Sequence, residues 1–281
     1  MKNLGYYNGE IGLIDEMRVP MNDRAFYFGD GVYDAVMCRN NIPYLLSEHI
    51  DRFYRNCDRL SIKVQMKKHE LFELICTLVK MVDANEKFVY FHMSRGNAQR
   101  AHELMLDKGS LCIMVMPREI DDPAVEMSAV LLPDIRYGMC DIKTLNLLPN
   151  VLASQIATKS GADEAILHRG DTVTEGTHCN ISIISEGKLI TAPESRHILP
   201  GVTRAHLIKT AESNGIAVEQ REYTTSELLS ADEILVTSSS KLLRAVNSLN
   251  GKQVGGKNRE VLNLLKNELF GAYYSATTPR I

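Results

Sequence analysis

Apolar and polar positions along this chain follow two different periods, and the changes of period mark out its elements. In SEHIDRFYRNCDRL (47–60) the residues Ile50, Phe53, Cys57 and Leu60 recur at steps of three and four, the spacing of one buried helix face. Ser47 is the expected N-cap, because its hydroxyl can accept a hydrogen bond from a free N–H of the first turn. KKHELFELICTLVKMVDAN (67–85) repeats the pattern, with Leu71, Leu74, Ile75, Leu78, Val79 and Val82 inward. FVYFHMS (88–94) and LCIMVM (111–116) are short apolar runs that predict strands. YYNGEIG near the start reads as a hairpin tip.

PREIDDPAVE (117–126) then places two prolines and four acids between apolar strands. That composition predicts a linker at 119–126, separating an N-terminal domain (1–118) from a C-terminal one (127–281). Beyond it come a strand at SAVLL (128–132) and a helix from about Asn150 to Ser160, stopped by Gly161. AILH, TVTE, NISII and KLIT are strand-like runs separated by turn residues, ILPGVT opens a helix over 203–215, and DEILVTSSS ends a strand in hydroxyls. The fold class is therefore α/β (α+β), with a small N-terminal α/β domain and a larger C-terminal domain of mixed β structure.

Composition narrows the functions. The 281 residues carry 32 basic and 35 acidic side chains for a net charge of −3, so no electrostatic footprint for nucleic acid or membrane is present. Six cysteines form no CxxC pair, which fits reduced thiols and a cytoplasmic setting. Eight histidines show no HExxH or Cys/His cluster, so no metal is expected. The start has no apolar block of a signal peptide, and no apolar run nears the roughly 20 residues of a membrane span. GxGxxG and GxxxxGK[ST] loops are both missing, which removes dinucleotide and P-loop readings.

Several polar groups remain without an obvious structural task. Lys143 lies in CDIKTLNLLPNVLASQ, where Ile142, Leu145, Leu147, Leu148, Val151 and Leu152 belong in a core. It is either a lysine snorkelling to water or a lysine in a dry pocket, where losing its charge makes it a nucleophile. Arg52, Arg55 and Arg59 line one helix, and a solvated stripe accounts for at least two of them. Glu175 ends a strand before a glycine, as an exposed turn carboxylate or a buried one. The N–H groups of Val202 and Thr203 open a helix, where Thr203 can simply cap or the free donors can hold an anion. Ser239 belongs to the VTSSS hydroxyl cluster. An amine nucleophile, a cation, a helix N-terminus, hydroxyls and a carboxylate are together the parts that hold pyridoxal 5′-phosphate (PLP).

The order and wording of seven segments support a family. DRAFYFGDGVYDAV, LLSEHIDRFYR, SRGNAQRAH, DIRYGMCDIKTLNLLPNVLA, DEAILHRGDTVTEGTHCNISII, ILPGVTR and VTSSS run from about Asn22 to Val254. In that order they resemble the fold-type IV PLP enzymes, the branched-chain aminotransferase-like group. The resemblance implies a homodimer with PLP between the two domains. It makes Lys143 the Schiff-base lysine and Glu175 the carboxylate at the pyridine nitrogen. Arg52, the backbone at Val202 and Thr203, and Ser239 become the phosphate ligands, while Arg55 and Arg59 keep their solvated reading.

Within the group, GDGVY, RAH, CDIKTLNLL and EAILHRGDTVTEG are most similar to D-amino acid aminotransferases. That likeness implies transfer of an amino group from a D-amino acid such as D-alanine to 2-oxoglutarate. Tyr33, Arg100 and His102 then hold the substrate α-carboxylate, the last two from the partner subunit. An L-branched-chain aminotransferase and an aminodeoxychorismate lyase are the alternatives. Thr177, His178 and Cys179 depart from the small serines usual after Glu175-Gly176, so His178 is expected to narrow the pocket or to bind a side-chain carboxylate.

Overall fold

A computed structural model describes residues 1–103 and 106–279. The chain forms two compact units. The first comprises Met1–Ile120, Ile142–Asn146 and the tail from Tyr274; the second comprises Asp121–Asp141 and Leu147–Tyr273.

The first unit is built on a six-stranded antiparallel sheet. Its strands are β1 (Leu4–Tyr7), β2 (Glu10–Gly12), β3 (Gly31–Arg39), β4 (Ile42–Pro43), β5 (Glu86–Ser94) and β6 (Ser110–Pro117), in the order β2-β1-β6-β5-β3-β4. The short helix α1 (Arg24–Phe28) precedes β3, and α2 (Leu46–Arg59) and α3 (Lys68–Lys80) follow β4. Ile50, Phe53 and Cys57 of α2 and Leu71, Ile75, Leu78 and Val79 of α3 join Val32, Val36, Val89 and Phe91 of the strands in one core. Helix α2 starts one residue before the expected cap. Its N-cap is Leu45, held at φ 55°, and no side chain caps it. Ser47 therefore lies inside the first turn.

β4 is only two residues long and pairs with Cys38 and Arg39, so the first half of β3 has a free edge. The Lys143 segment fills it: Thr144 bridges Val32, Tyr33 N–H donates to Lys143 C=O at 2.9 Å, and Leu145 N–H donates to Gly31 C=O at 3.0 Å. This pairing is why residues 142–146 belong with the N-terminal unit, although the sequence division put them in the C-terminal domain.

The second unit carries a nine-stranded mixed sheet. Its strands are β7 (Met127–Pro133), β8 (Glu164–Arg169), β9 (Thr172–Gly176), β10 (Asn180–Ser185), β11 (Lys188–Thr191), β12 (Val218–Gln220), β13 (Glu233–Ser238), β14 (Leu242–Leu249) and β15 (Lys252–Gln253). The order is β12-β11-β10-β13-β14-β7-β8-β9, with β15 beside β14. Three pairings, β7 with β8, β7 with β14 and β11 with β12, are parallel. Helices α4 (Leu148–Lys159), α5 (Val202–Ser213), α6 (Thr225–Ser230) and α7 (Arg259–Ala276) complete the order. No helix among the described residues is long and apolar enough to cross a membrane.

α4 corrects one expectation. Ile142 is buried, but Leu148, Val151, Leu152 and Ile156 are 42–64% exposed in the single chain. Ala153 and Ala157 face inward instead, packed on Ala165 and Leu167 of β8. Small residues thus seat the helix on the sheet and leave its larger apolar side chains outward.

Candidate active site

In the first unit the three arginines of α2 separate sharply. Arg55 and Arg59 are exposed, whereas Arg52 is buried against β3. Its Nε donates to Asp34 Oδ2 at 2.9 Å and its Nη2 donates to Asp34 Oδ1 at 2.8 Å. This fork on a carboxylate fixes the plane of the guanidinium. His49, one turn earlier on α2, places Nδ1 2.7 Å from Asp34 Oδ1. Burial works against a charge on Asp34, which is fully enclosed, yet Arg52 and His49 hold its carboxyl well below the usual range. Burial likewise pushes the His49 imidazole down, against the pull of Asp34. The sequence reading missed Asp34 and His49. The available signal was an acid inside an otherwise apolar strand, and a histidine three residues from Arg52.

Lys143, brought to β3 by the edge pairing, donates from Nζ to Tyr33 Oη at 3.2 Å. Its ammonium also stands 4.3 Å from the Tyr33 ring centre, and Tyr33 stacks on Tyr90 with ring centres 5.5 Å apart. Two of the expected site residues therefore meet. Arg100 and His102 meet each other's neighbourhood through Phe28: the guanidinium lies 5.0 Å from that ring centre and the imidazole 4.9 Å. Both are exposed, and neither is hydrogen-bonded to Tyr33 or Lys143 of the same chain.

In the second unit Glu175 is buried at the end of β9. One carboxylate oxygen accepts from Arg136 Nη1. The other accepts from Asn180 Nδ2 at 2.9 Å and from Leu199 N–H at 3.0 Å. Arg136 is in turn forked onto Asp134. Burial alone would lower the Arg136 pKa, but Asp134 and Glu175 raise it, so its charge is permanent. Arg136 and Asn180 are the residues the sequence reading missed here; neither stands at a spacing that marks it.

The same network brings in the other expected groups. Asn180 Nδ2 also donates to Leu199 C=O at 2.9 Å, tying Glu175 to the segment that enters α5. Gly201 is the N-cap of α5, and a Cβ there would lie 1.9 Å from Asn180 Oδ1, so only glycine lets the segment come this close. Val202 and Thr203 follow as the first two helical residues, with N–H groups that the helix itself cannot satisfy. Thr203 is buried and does not act as the cap. Ser239 follows β13, whose Thr237 pairs with Asn180. Glu175, the α5 N-terminus and the Ser239 turn thus converge on the first residue of β10.

These groups fit PLP by their chemistry. Taken unit by unit, the first offers a half-buried amine and a buried arginine, and the second helix N–H donors, a hydroxyl and a fixed carboxylate, the group types that suit its aldehyde, its phosphate and its basic ring nitrogen. Residues 31–249 match the family described as Amino-transferase class IV. The chain belongs to that family. Class IV aminotransferases are PLP enzymes. Among curated relatives, a D-alanine aminotransferase of Staphylococcus aureus (strain MSSA476) is 36% identical over 253 residues, covering 89% of this chain and 90% of that protein. Among solved structures, the branched-chain amino acid aminotransferase of Escherichia coli superposes with a TM-score of 0.89 at 21% identity, over 100% of this chain and 97% of that one. A putative 4-amino-4-deoxychorismate lyase of Legionella pneumophila gives 0.85 at 23% identity, over 92% and 97%. Both of these solved structures therefore share the fold of this chain.

Proposed function

We propose that this class IV aminotransferase moves the amino group of a D-amino acid, such as D-alanine, to 2-oxoglutarate, with Lys143 holding PLP as a Schiff base. The observation that carries the reading is the Lys143–Tyr33 contact. It sets an amine that can carry a proton beside a phenol that can bind a carboxylate. PLP, when bound, supplies the electron sink for a negative charge developing at the substrate Cα. Lys143 would take the Cα proton and give it back at the cofactor carbon that carries the transferred nitrogen. Glu175, held by three donors, keeps the ring nitrogen protonated and so maintains that sink. Arg52, the Val202 and Thr203 N–H groups and the Ser239 hydroxyl bind the phosphate.

Tyr33 holds the substrate α-carboxylate, joined by Arg100 and His102 of a second subunit. Two observations support that sharing. Arg100 and His102 stand together on Phe28 without a hydrogen bond to Tyr33 or Lys143 of their own chain. The stripe of Leu148, Val151, Leu152 and Ile156 leaves α4 with an exposed apolar face suited to a second copy. The enzyme is then a homodimer acting in the cytoplasm on small amino and keto acids.

With the carboxylate held on this side, the Cα hydrogen of a D-amino acid points at Lys143, whereas an L-amino acid presents its side chain. An amino-acid panel in both chiralities tests the reading. D-alanine, D-aspartate or D-glutamate is expected to bleach the visible absorbance of the holoenzyme and 2-oxoglutarate to restore it. Faster turnover of L-leucine than of any D-amino acid would favour the branched-chain alternative, and multiple-turnover pyruvate release from 4-amino-4-deoxychorismate without an acceptor would favour the lyase.

A further inference from the structure

Lys241 follows the Ser239–Ser240 turn and is 6% exposed. A buried ammonium has three N–H groups to satisfy. One reaches His178 Nε2 at 2.8 Å, while Glu164 Oε2 stands 3.9 Å away, within charge attraction but beyond a hydrogen bond. Because an ammonium has no lone pair, His178 Nε2 must accept and the ring proton must sit on Nδ1. That nitrogen lies 2.8 Å from Thr177 Oγ1, and the Thr177 hydroxyl donates onward to Glu164. Glu164 also accepts from Thr177 N–H at 3.1 Å and from the Cys179 thiol at 3.3 Å.

The chain of bonds is therefore directional from Lys241 to Glu164, and the carboxylate is saturated from the Thr177–Cys179 side. Burial opposes its charge, yet the Thr177 hydrogen bonds and the Lys241 ammonium keep its carboxyl below the usual range. Lys241 is left with two N–H groups that no described residue accepts, a costly state for a buried cation. The imidazole beside it is open, with a side chain 52% exposed. Both residues border the site already described: His178 is three residues beyond Glu175, in the turn closed by Gly176 N–H on Cys179 C=O, and Lys241 is two beyond Ser239.

We infer that Lys241, oriented by His178, receives the side-chain carboxylate of a dicarboxylic substrate and selects D-glutamate, D-aspartate and 2-oxoglutarate over D-alanine and pyruvate. The inference rests on the transaminase reading above. A carboxylate suits the Lys241 ammonium better than a phosphate, since a dianion would stand close to the buried Glu164 charge.

Calorimetric titration of the holoenzyme with glutarate and butyrate tests this without depending on substrate chirality. The wild type is expected to bind glutarate about ten- to a hundredfold more tightly than butyrate, the range for one charged hydrogen bond. Lys241→Met should remove that ratio, Lys241→Arg should keep most of it, and His178→Ser should narrow it. The double variant Lys241→Met/Glu164→Gln, which leaves no unpaired buried charge, should repeat the single variant's result if that protein folds poorly. In the half-reaction, kcat/KM for D-glutamate should fall at least about tenfold further than for D-alanine, through KM. No preference for glutarate in the wild type, or a ratio unchanged in Lys241→Met, overturns the inference. Weaker PLP retention with an unchanged ratio assigns Lys241 to the cofactor phosphate instead and also overturns it. Failure of all D-amino acids as donors would refute the proposed function while the glutarate ratio still reports on Lys241.

Discussion

The Lys143 ammonium and the Tyr33 hydroxyl are 3.2 Å apart, joined by a strand-edge pairing that brings residue 143 to the first half of β3 across more than a hundred residues of sequence. The phenol is thus both a partner of the amine and an available donor to a substrate carboxylate. Tyr33→Phe should keep the fold, because the ring still stacks on Tyr90, but should raise KM for the amino donor. A reduction in kcat/KM of about tenfold or more is expected for one hydrogen bond to a charged group. Unchanged steady-state constants would remove Tyr33 from the site.

Glu175→Gln should retain bound PLP and slow proton transfer, because a neutral amide no longer favours a protonated ring nitrogen. Loss of a charge-assisted hydrogen bond of roughly 1.5–3 kcal/mol corresponds to about ten- to a hundredfold in rate. Single-turnover measurement with D-alanine reads this directly. A rate equal to wild type would place Glu175 away from the cofactor.

Subunit sharing predicts complementation. Lys143→Ala and Arg100→Ala homodimers should each be nearly inactive, and mixed dimers should recover activity, since one of their two sites then receives both intact groups. Purified heterodimers that stay inactive, with both parents folded, would show that Arg100 serves its own chain or none.

The legibility of these features in the sequence was uneven for physical reasons. Helices α2 and α3 announce themselves because one face of each is buried, and the strands of the second unit because both faces are. Lys143 stood out in sequence as a cation among apolar neighbours. Its place in the first unit did not, because strand-edge pairing leaves no local signature. Arg52 could be told from Arg55 and Arg59 by resemblance, and only the fold supplies the reason: Asp34 lies opposite one of the three. Arg136, Asn180 and Lys241 are ordinary polar residues in sequence, and they become functional candidates only when distant segments place them on Glu175 or His178. Leu148, Val151 and Leu152 were misplaced into a core because apolar character alone does not say which face of a helix is buried.

A further consequence concerns acid stability. His92 on β5 has a buried Nδ1 without a hydrogen-bond partner, and burial takes its pKa down to about 4. The unfolded imidazole titrates near about 6.5, so between these values the unfolded chain binds the proton more tightly. Stability from neutral His92 is complete above about pH 6.5 and is lost as the pH falls toward 4. His49, also pushed down by burial, acts in the same direction. Denaturation midpoints should decline across this window, and His92→Gln should remove about one proton's worth of the slope. An identical slope in the variant would refute the assignment.

The most direct test of the account is exchange of the Cα hydrogen in deuterated water, followed by NMR on holoenzyme given D-alanine or L-leucine. Lys143 held beside Tyr33 is predicted to wash deuterium into D-alanine, to leave L-leucine untouched, and to lose the exchange in Lys143→Ala. Faster exchange of L-leucine, or exchange of D-alanine that survives in Lys143→Ala, would contradict it.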